Sequence, residues 1–175
     1  MKIYKILSVL LQYPEQELID NLPEIKEWVN DTSEIDKNER STLQTFLEQM
    51  ESKSLIELQA EYVNTFDMNA EHSLHLTHHL FGDDKNRGPA LIDLGELYKD
   101  YGVEVQESAN ELPDYLPLIL EFAAYLDGSE STVFLADASK VFGVLSDNLE
   151  KAASPFADLI SIISSRASLT RIEAA

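Results

Sequence analysis

The 175-residue sequence contains no cysteine, which excludes several classes of site. Without thiols the chain forms no disulfide, no thiolate zinc site and no iron–sulfur cluster held by its own side chains, and it has no cysteine nucleophile. The glycines match neither G-x-G-x-x-G, G-x-x-x-x-G-K-[ST] nor G-x-S-x-G. The sequence therefore gives no positive sign of nucleotide binding or of a serine hydrolase elbow.

Basic residues are scarce as well. Thirteen lysines and arginines stand against 32 aspartates and glutamates, for a formal net charge of −19. A field of this sign repels the phosphates of nucleic acids and of anionic lipid head groups, although an acidic surface also simply favours solubility. We expect no nucleic-acid partner and a partner that is neutral or basic.

Long apolar runs are missing too. No run reaches the roughly 20 residues that a helix needs to cross a bilayer. The N-terminal segment lacks the continuous apolar core and the small-residue cleavage site of a secretory signal. We predict a cytoplasmic protein without membrane insertion.

What the sequence does contain is helical periodicity. Apolar residues recur at intervals of three and four along most of the chain, and no pair of segments has the turn chemistry of a β-hairpin. The pattern predicts a single all-α domain over residues 1–175, a bundle of roughly eight to ten helices, with residues 170–175 as a frayed tail. No long linker divides it.

Several residues mark predicted boundaries in the N-terminal half. Pro14 and Pro23 suit the first turns of two successive short helices. Ser54 and Glu57 have the spacing of a capping box, and the helical pattern is interrupted over residues 64–69.

Further boundaries follow in the C-terminal half. Pro89 is predicted to begin a helix whose end has Gly102 in a left-handed conformation, before a loop over residues 103–110. Gly128 is predicted to close the next helix. A single long helix should then carry the apolar residues of 134–149, and the last helix should begin at Ser154 and Pro155.

The segment 111–126 is the most constrained part of the chain. Pro113 and Pro117 cannot both lie inside one helix, because an interior proline removes a backbone hydrogen bond and clashes with the preceding turn. A helix should therefore start between them, with Asp114 as its N-cap and Pro117 in its first turn.

This helix is apolar on all sides apart from Glu121, which predicts a central helix buried among the others. Glu121 would then be an ionisable group on a buried element, and such groups are paired, hydrogen-bonded or neutralised. It is a candidate site residue. The alternative is a carboxylate at the edge of the bundle or in a structural ion pair, with Arg87 as the partner of either Glu121 or Asp114.

All four histidines lie within residues 72–79. On a single helix, His72, His75 and His79 would share one face, where imidazoles can bind a metal ion. Helical carboxylate-bridged metal sites draw ligands from several helices, and the second Glu-x-x-His that they need is absent. A helix end flanked by histidines, one of them packed inside, is the preferred interpretation. A metal-binding helical bundle that uses these histidines is the alternative to the function considered next.

Four groups of residues, taken together, resemble the NarJ family of cytoplasmic assembly chaperones for respiratory nitrate reductase, within the wider TorD/DmsD group. The resemblance covers most of the chain up to about residue 126, although the family often has histidine where Tyr115 stands. The matching groups are Leu-Leu-Gln-Tyr-Pro at 10–14, Leu-Gln-Ala-Glu-Tyr at 58–62 with Phe66-Asp67, His-Leu-Phe-Gly-Asp at 79–83 with Arg87-Gly88, and Glu-Leu-Pro-Asp-Tyr-Leu-Pro-Leu at 111–118 with Glu121.

The resemblance implies a protein that is not an enzyme and holds no cofactor of its own. It would bind the immature catalytic subunit of nitrate reductase, partly through the N-terminal segment of that subunit, while the molybdenum cofactor is inserted. Such segments in related enzymes resemble twin-arginine export signals, and a basic or amphipathic peptide suits an acidic surface.

The resemblance also points to the residues that would hold this segment. We predict a groove bordered by the central helix, the helix end at residues 62–67 and the connection at 79–87. For Phe66 a core role, and for Asp114 a capping role, is preferred over ligand contact. An acidic scaffold with no groove is a third possibility. The predicted peptide-binding residues are Tyr62, Phe66, His79, Arg87, Asp114, Tyr115 and Glu121.

Overall fold

A computed structural model describes residues 1–104 and 111–168 of the protein. Within these ranges the chain forms ten α-helices and no β-strand, which confirms the all-α prediction. The predicted loop over 103–110 falls almost entirely outside the described residues, and the predicted frayed tail lies wholly outside them. The helices are α1 (Lys2–Leu10), α2 (Gln16–Asp31), α3 (Lys37–Glu51), α4 (Leu55–Tyr62), α5 (Leu76–Phe81), α6 (Arg87–Asp100), α7 (Leu116–Tyr125), α8 (Gly128–Ala136), α9 (Ser139–Lys151) and α10 (Ala157–Arg166).

The core is built around α1 and α7, which pack along each other, while α9 packs against α10. Leu7 and Leu10 of α1 and Leu116 and Leu120 of α7 are all fully buried. Burying large aliphatic side chains of this kind is worth about 1.5–3 kcal/mol each relative to exposure. No helix within the described ranges is both long enough and apolar enough to cross a membrane.

The prediction that α7 is buried on all sides is wrong. One edge of the helix is open to solvent: Glu121 and Tyr125 on it are exposed, Tyr125 by 66%, and Leu118 is half-buried. Residues at this spacing lie in one row along a helix, so a helix that packs on only one side leaves the row uncovered. Glu121 is therefore an exposed carboxylate rather than a buried one.

Proline positions in the N-terminal half also differ from the prediction. The two short helices expected from Pro14 and Pro23 are one helix, α2, with Pro23 inside it and Pro14 two residues before its start. An interior proline normally disfavours a helix because one backbone hydrogen bond is lost. Pro23 is exposed, so water can replace that bond.

Helix ends in the C-terminal half show the same kind of difference. Gly128 does not close α7 but begins α8, whose N-cap Asp127 accepts hydrogen bonds from the backbone N–H groups of Ser129 and Glu130. The single long helix predicted over 134–149 is two helices, α8 and α9. The apolar spacing continues across the break, so the pattern could not show it.

Several predicted boundaries are confirmed. Ser54 and Glu57 form both halves of a capping box at the start of α4. Gly102 has a φ of +73° after the end of α6. The last helix starts later than predicted, at Ala157 with Phe156 as its N-cap, and the Ser154 hydroxyl accepts a hydrogen bond from Phe156 N–H in the turn before it.

The interruption predicted over 64–69 is not a simple break in the helix. A five-residue π-helix, Val63–Asp67, extends directly from α4, and a short 3₁₀ turn, Ala70–His72, follows. π-helical turns are rare and are frequently found at functional sites. Here the π-helix carries Phe66 into the core.

Candidate functional site

The segments that precede α5 and α7 are joined by an antiparallel bridge between His75 and Tyr115. The backbone N–H of Leu76 donates to the Asp114 carbonyl at 3.1 Å, and the N–H of Leu116 donates to the Leu74 carbonyl at 2.8 Å. This pairing places two groups of residues from the sequence pattern, the histidine segment and Asp114-Tyr115, side by side.

Asp114 was predicted to be the N-cap of α7, but Tyr115 occupies that position. The Asp114 carboxylate is fully buried and accepts hydrogen bonds from both the backbone N–H of Thr77, at 2.9 Å, and the Thr77 hydroxyl. Nδ1 of His75 lies 3.3 Å from its other oxygen. Asp114 therefore satisfies the first turn of α5, a helix far from it in sequence.

These hydrogen bonds decide the ionisation of Asp114. Burial alone would raise its pKa, but the hydrogen bonds from His75 and Thr77 outweigh burial and hold the pKa below its usual range. The carboxylate is thus charged at neutral pH, and hydrogen bonds to a charged acceptor are stronger than those to a neutral one.

Arg87 reaches Asp114 through Thr77. Its Nε donates to the Thr77 hydroxyl at 3.1 Å, and that hydroxyl donates to the carboxylate. Arg87 thereby fixes the start of α6 to the start of α5. The structure assigns it this bridging position rather than an ion pair with Glu121.

The hydroxyl groups of Tyr62 and Tyr115 lie 2.9 Å apart. Because Tyr62 donates its proton to the Leu11 carbonyl at 3.1 Å, Tyr115 is the donor in the pair. Burial raises the pKa of Tyr115 to about 12 and raises that of Tyr62 further. Both hydroxyls therefore remain protonated at physiological pH, and the bond that holds the Tyr115 ring in place persists.

Phe66 lies beneath this pair in the core. Its ring centroid is 4.8 Å from that of Tyr62 and 4.8 Å from that of Phe156. Tyr13 meets the Tyr62 ring edge-on at 5.5 Å. Such contacts fix ring orientations, so Tyr62 and Phe66 support Tyr115 and Tyr13 from inside.

The histidines do not share one helix face, so the geometry assumed for a metal site is wrong. His72 ends the 3₁₀ turn with Nδ1 2.9 Å from the Thr65 carbonyl, His75 precedes α5, and Nε2 of His79 lies 2.7 Å from the Ser73 carbonyl. Within residues 1–104 and 111–168, no group of three or more histidine, cysteine, aspartate or glutamate side chains is arranged to hold a metal ion.

An open cleft of about 550 Å³ lies where the end of α1, the start of α2 and the start of α7 meet; we call it the acidic cleft. Its floor is largely apolar and its rim carries four carboxylates, those of Glu15, Glu17, Glu111 and Glu121. None of the described residues that line it is basic. They are Val9, Gln12, Tyr13, Glu15, Glu17, Leu18, Asn21, Glu111, Tyr115, Pro117, Leu118 and Glu121.

The acidic cleft brings together only part of the predicted set. Tyr115 and Glu121 line it. Tyr62 accepts the hydrogen bond of the Tyr115 hydroxyl, and Asp114 anchors the adjoining backbone to the start of α5. The remaining three residues, Phe66, His79 and Arg87, are not among its lining residues.

Sequence reasoning missed most of the rim. Glu15 and Glu17 belong to the acidic start of α2, and Glu111 precedes α7, about a hundred residues later. Tyr13 was noted only as part of the Leu-Leu-Gln-Tyr-Pro motif at 10–14. The signal available was the local charge of Glu-Gln-Glu at 15–17, which by itself indicates no more than a favourable helix start.

The chemistry of the acidic cleft suits a polypeptide ligand. An apolar floor buries the side chains of a bound segment, carboxylates at the rim attract basic side chains, and the amides of Gln12 and Asn21 can pair with a bound backbone. A strongly anionic ligand would be repelled.

Comparison with known proteins identifies the family of the chain. Residues 32–161 match the family described as nitrate reductase delta subunit. The chain is 32% identical over 158 residues to the nitrate reductase molybdenum cofactor assembly chaperone NarJ of Escherichia coli K12, covering 90% of this chain and 66% of that protein. It is 34% identical over 161 residues to a Bacillus subtilis protein named "Probable nitrate reductase molybdenum cofactor assembly chaperone NarJ", covering 91% of this chain and 85% of that protein.

A third relative is the Escherichia coli K12 protein named "Probable nitrate reductase molybdenum cofactor assembly chaperone NarW", 29% identical over 156 residues. The chain spans 66% of the length of the Escherichia coli NarJ protein and 64% of that of NarW. The match to the family extends over most of the chain and confirms the resemblance found in its motifs. The chain therefore belongs to the nitrate reductase delta subunit family, the family of the NarJ assembly chaperones.

Proposed function

We propose that the protein is a cytoplasmic chaperone that binds the immature catalytic subunit of nitrate reductase and assists insertion of the molybdenum cofactor into it. The N-terminal segment of that subunit binds in the acidic cleft. Two of the relatives above are named as nitrate reductase molybdenum cofactor assembly chaperones NarJ, the second of them as a probable one. The observation that carries the proposal is the set of four carboxylates around an apolar floor.

The charge of the protein supports this kind of partner. With a formal net charge of −19, the chain attracts a basic segment over a distance before contact is made. Electrostatic attraction of this kind raises the association rate and selects against acidic competitors. The apolar floor then supplies the burial that keeps the segment bound.

The experiment is calorimetric titration of a synthetic peptide from the N-terminus of the nitrate reductase catalytic subunit into the full chain. We expect saturable binding at micromolar concentrations that weakens as salt is raised, because ions screen charges at the rim. The control is the same peptide with its basic residues replaced by glutamine. Absence of saturable heat with the unmodified peptide would contradict the proposal.

Glu121→Gln tests the rim directly. We expect the Kd of the peptide to rise about 1.4- to fivefold, because a solvent-exposed ion pair contributes about 0.2–1 kcal/mol. The melting temperature should hardly change, since Glu121 is exposed. The matched control is Glu27→Gln, an exposed glutamate of α2 outside the cleft.

The two measurements separate the possible roles of Glu121. Weaker binding with an unchanged melting temperature assigns it to the rim. A lower melting temperature with unchanged binding would make it a structural residue and remove it from the site.

A further inference from the structure

A second groove, of about 350 Å³, lies among α6, α7 and α8; we call it the apolar groove. Six apolar or aromatic residues form most of it, and Ser129 and Glu130 stand at its edge. Glu130 is the one charged residue among the described residues that line it. The six are Leu97, Tyr101, Phe122, Leu126, Val133 and Phe134.

The apolar groove combines a rigid floor with exposed walls. Phe122 is buried, and its ring meets those of Tyr101 and Phe134 edge-on at 5.4 and 5.0 Å. Val133 is 58% exposed and Tyr101 is 41% exposed. A contiguous exposed apolar surface over a fixed aromatic floor is typical of a site that another polypeptide covers.

The apolar groove and the acidic cleft lie on the two sides of α7. Leu118 and Glu121 line the acidic cleft, whereas Phe122 and Leu126 line the apolar groove. Tyr125 belongs to the exposed edge of α7, lines neither site, and is one helical turn from both Glu121 and Phe122. The two sites are thus parts of one surface, acidic on one side of the helix and apolar on the other.

We infer that the apolar groove binds the continuation of the same client segment that occupies the acidic cleft, an inference that rests on the proposed function. The continuation is an apolar stretch that crosses the exposed edge of α7. It carries a basic residue that pairs with Glu130, because Glu130 is the charge that the groove presents. A second copy of this chain is a poor occupant, since two bodies of formal charge −19 repel each other.

The geometry sets a length for the segment. A helix with its side chains is about 10–12 Å across, so an extended chain crosses α7 in roughly four residues at about 3.3 Å per residue. With about four residues in each site, the segment needs roughly a dozen residues to fill both. Peptides shorter than this should reach only one site.

Val133→Asp is the variant that tests the groove. Titrations use two kinds of synthetic peptide from the N-terminus of the catalytic subunit. One is a long peptide of about 20 residues, and the other is a set of short overlapping peptides of about six residues that cover it. We expect the long peptide to bind about tenfold more weakly to the variant, because a carboxylate replaces apolar surface in the groove. The short peptides that bind the acidic cleft should be unaffected.

The matched control is Val144→Asp, the same substitution at a residue of α9 that is 53% exposed and lies outside both sites. If the melting temperature of a variant is unchanged, a change in its affinity reflects binding and not folding. Equal effects of the two substitutions, or equal affinity of wild-type protein for long and short peptides, would overturn the inference. Self-association that Val133→Asp abolishes would overturn it as well, by making a second copy the occupant.

Failure of the proposed function would give a different set of binding results from failure of this inference. Long-peptide binding that is lost with Val133→Asp but is insensitive to charge changes at Glu15 and Glu121 would place the client in the groove alone and contradict the acidic cleft. Because the chain has no cysteine, Val133→Cys provides a single thiol for a photocrosslinker. We expect it to capture the long peptide in the wild-type background, with Val144→Cys as the control.

Discussion

Replacing Asp114 by alanine is expected to lower the free energy of unfolding by about 3–5 kcal/mol. The substitution removes a charged acceptor from the Thr77 N–H and hydroxyl groups, which are buried with it. A hydrogen bond to a charged group is worth about 1.5–3 kcal/mol, and buried donors left without a partner add their desolvation cost. Chemical denaturation followed by circular dichroism measures the change.

The matched control is Asp127→Ala at the N-cap of α8. Asp127 also accepts two backbone N–H groups, but it is exposed, so water can replace it. We expect a clearly smaller loss of stability. Equal losses for the two variants would mean that the buried network around Asp114 contributes nothing beyond an ordinary helix cap.

The difference in stability between wild type and Asp114→Ala depends on pH. Because the pKa of Asp114 is lower in the folded than in the unfolded chain, its ionised form contributes stability that is fully present above the unfolded pKa of about 3.9. That contribution is lost as the pH falls through the lower, folded pKa. The difference in stability between wild type and Asp114→Ala should therefore be constant from neutral pH down to about pH 5 and shrink below about pH 4.

Reversing two charges of the acidic cleft, with Glu15→Lys and Glu121→Lys together, is expected to weaken binding of the client peptide about 100-fold. The double variant removes two attractions and replaces them with repulsion of the basic segment, which together amount to about 2.7 kcal/mol. Both residues are exposed, so the fold should be retained. Calorimetry at low salt measures the affinity, and most of the difference should disappear as salt is raised.

The control for this variant changes the net charge equally but elsewhere. Glu27 of α2 and Glu48 of α3 are exposed and do not line the cleft. Lysine at both should lower the affinity only slightly, through the long-range field. If both double variants weaken binding to the same extent, total charge rather than the acidic cleft attracts the peptide.

Local chemistry made much of the fold predictable. The capping box of Ser54 and Glu57 and the left-handed Gly102 follow from contacts within a few residues. The break between α8 and α9 and the helical position of Pro23 were not predictable in the same way. The apolar spacing continues across the break between α8 and α9, so the pattern does not show it. Pro23 is tolerated inside α2 because it is exposed and water can replace the lost hydrogen bond.

The candidate site was predictable only in part. Tyr115 and Glu121 belong to the segment that the sequence marked as most constrained, and both line the acidic cleft. Asp114 looked like a cap because aspartate before a helix normally is one, yet the carboxylate serves Thr77, 37 residues earlier. Nothing within a few residues of Asp114 indicates that partner.

The helical class, most helix positions, the acidic charge and the family follow from the amino-acid sequence alone, because helical hydrogen bonds and apolar periodicity are local properties of a chain. Which helices meet becomes apparent only in the folded protein. It brings Glu15 to the same cleft as Glu121, and it joins Glu39 to Arg166, 127 residues apart, in a buried ion pair. Such pairs form because helices pack so that their apolar faces are buried against one another. The residues that this packing brings into contact are far apart in sequence, and no local sequence pattern links them.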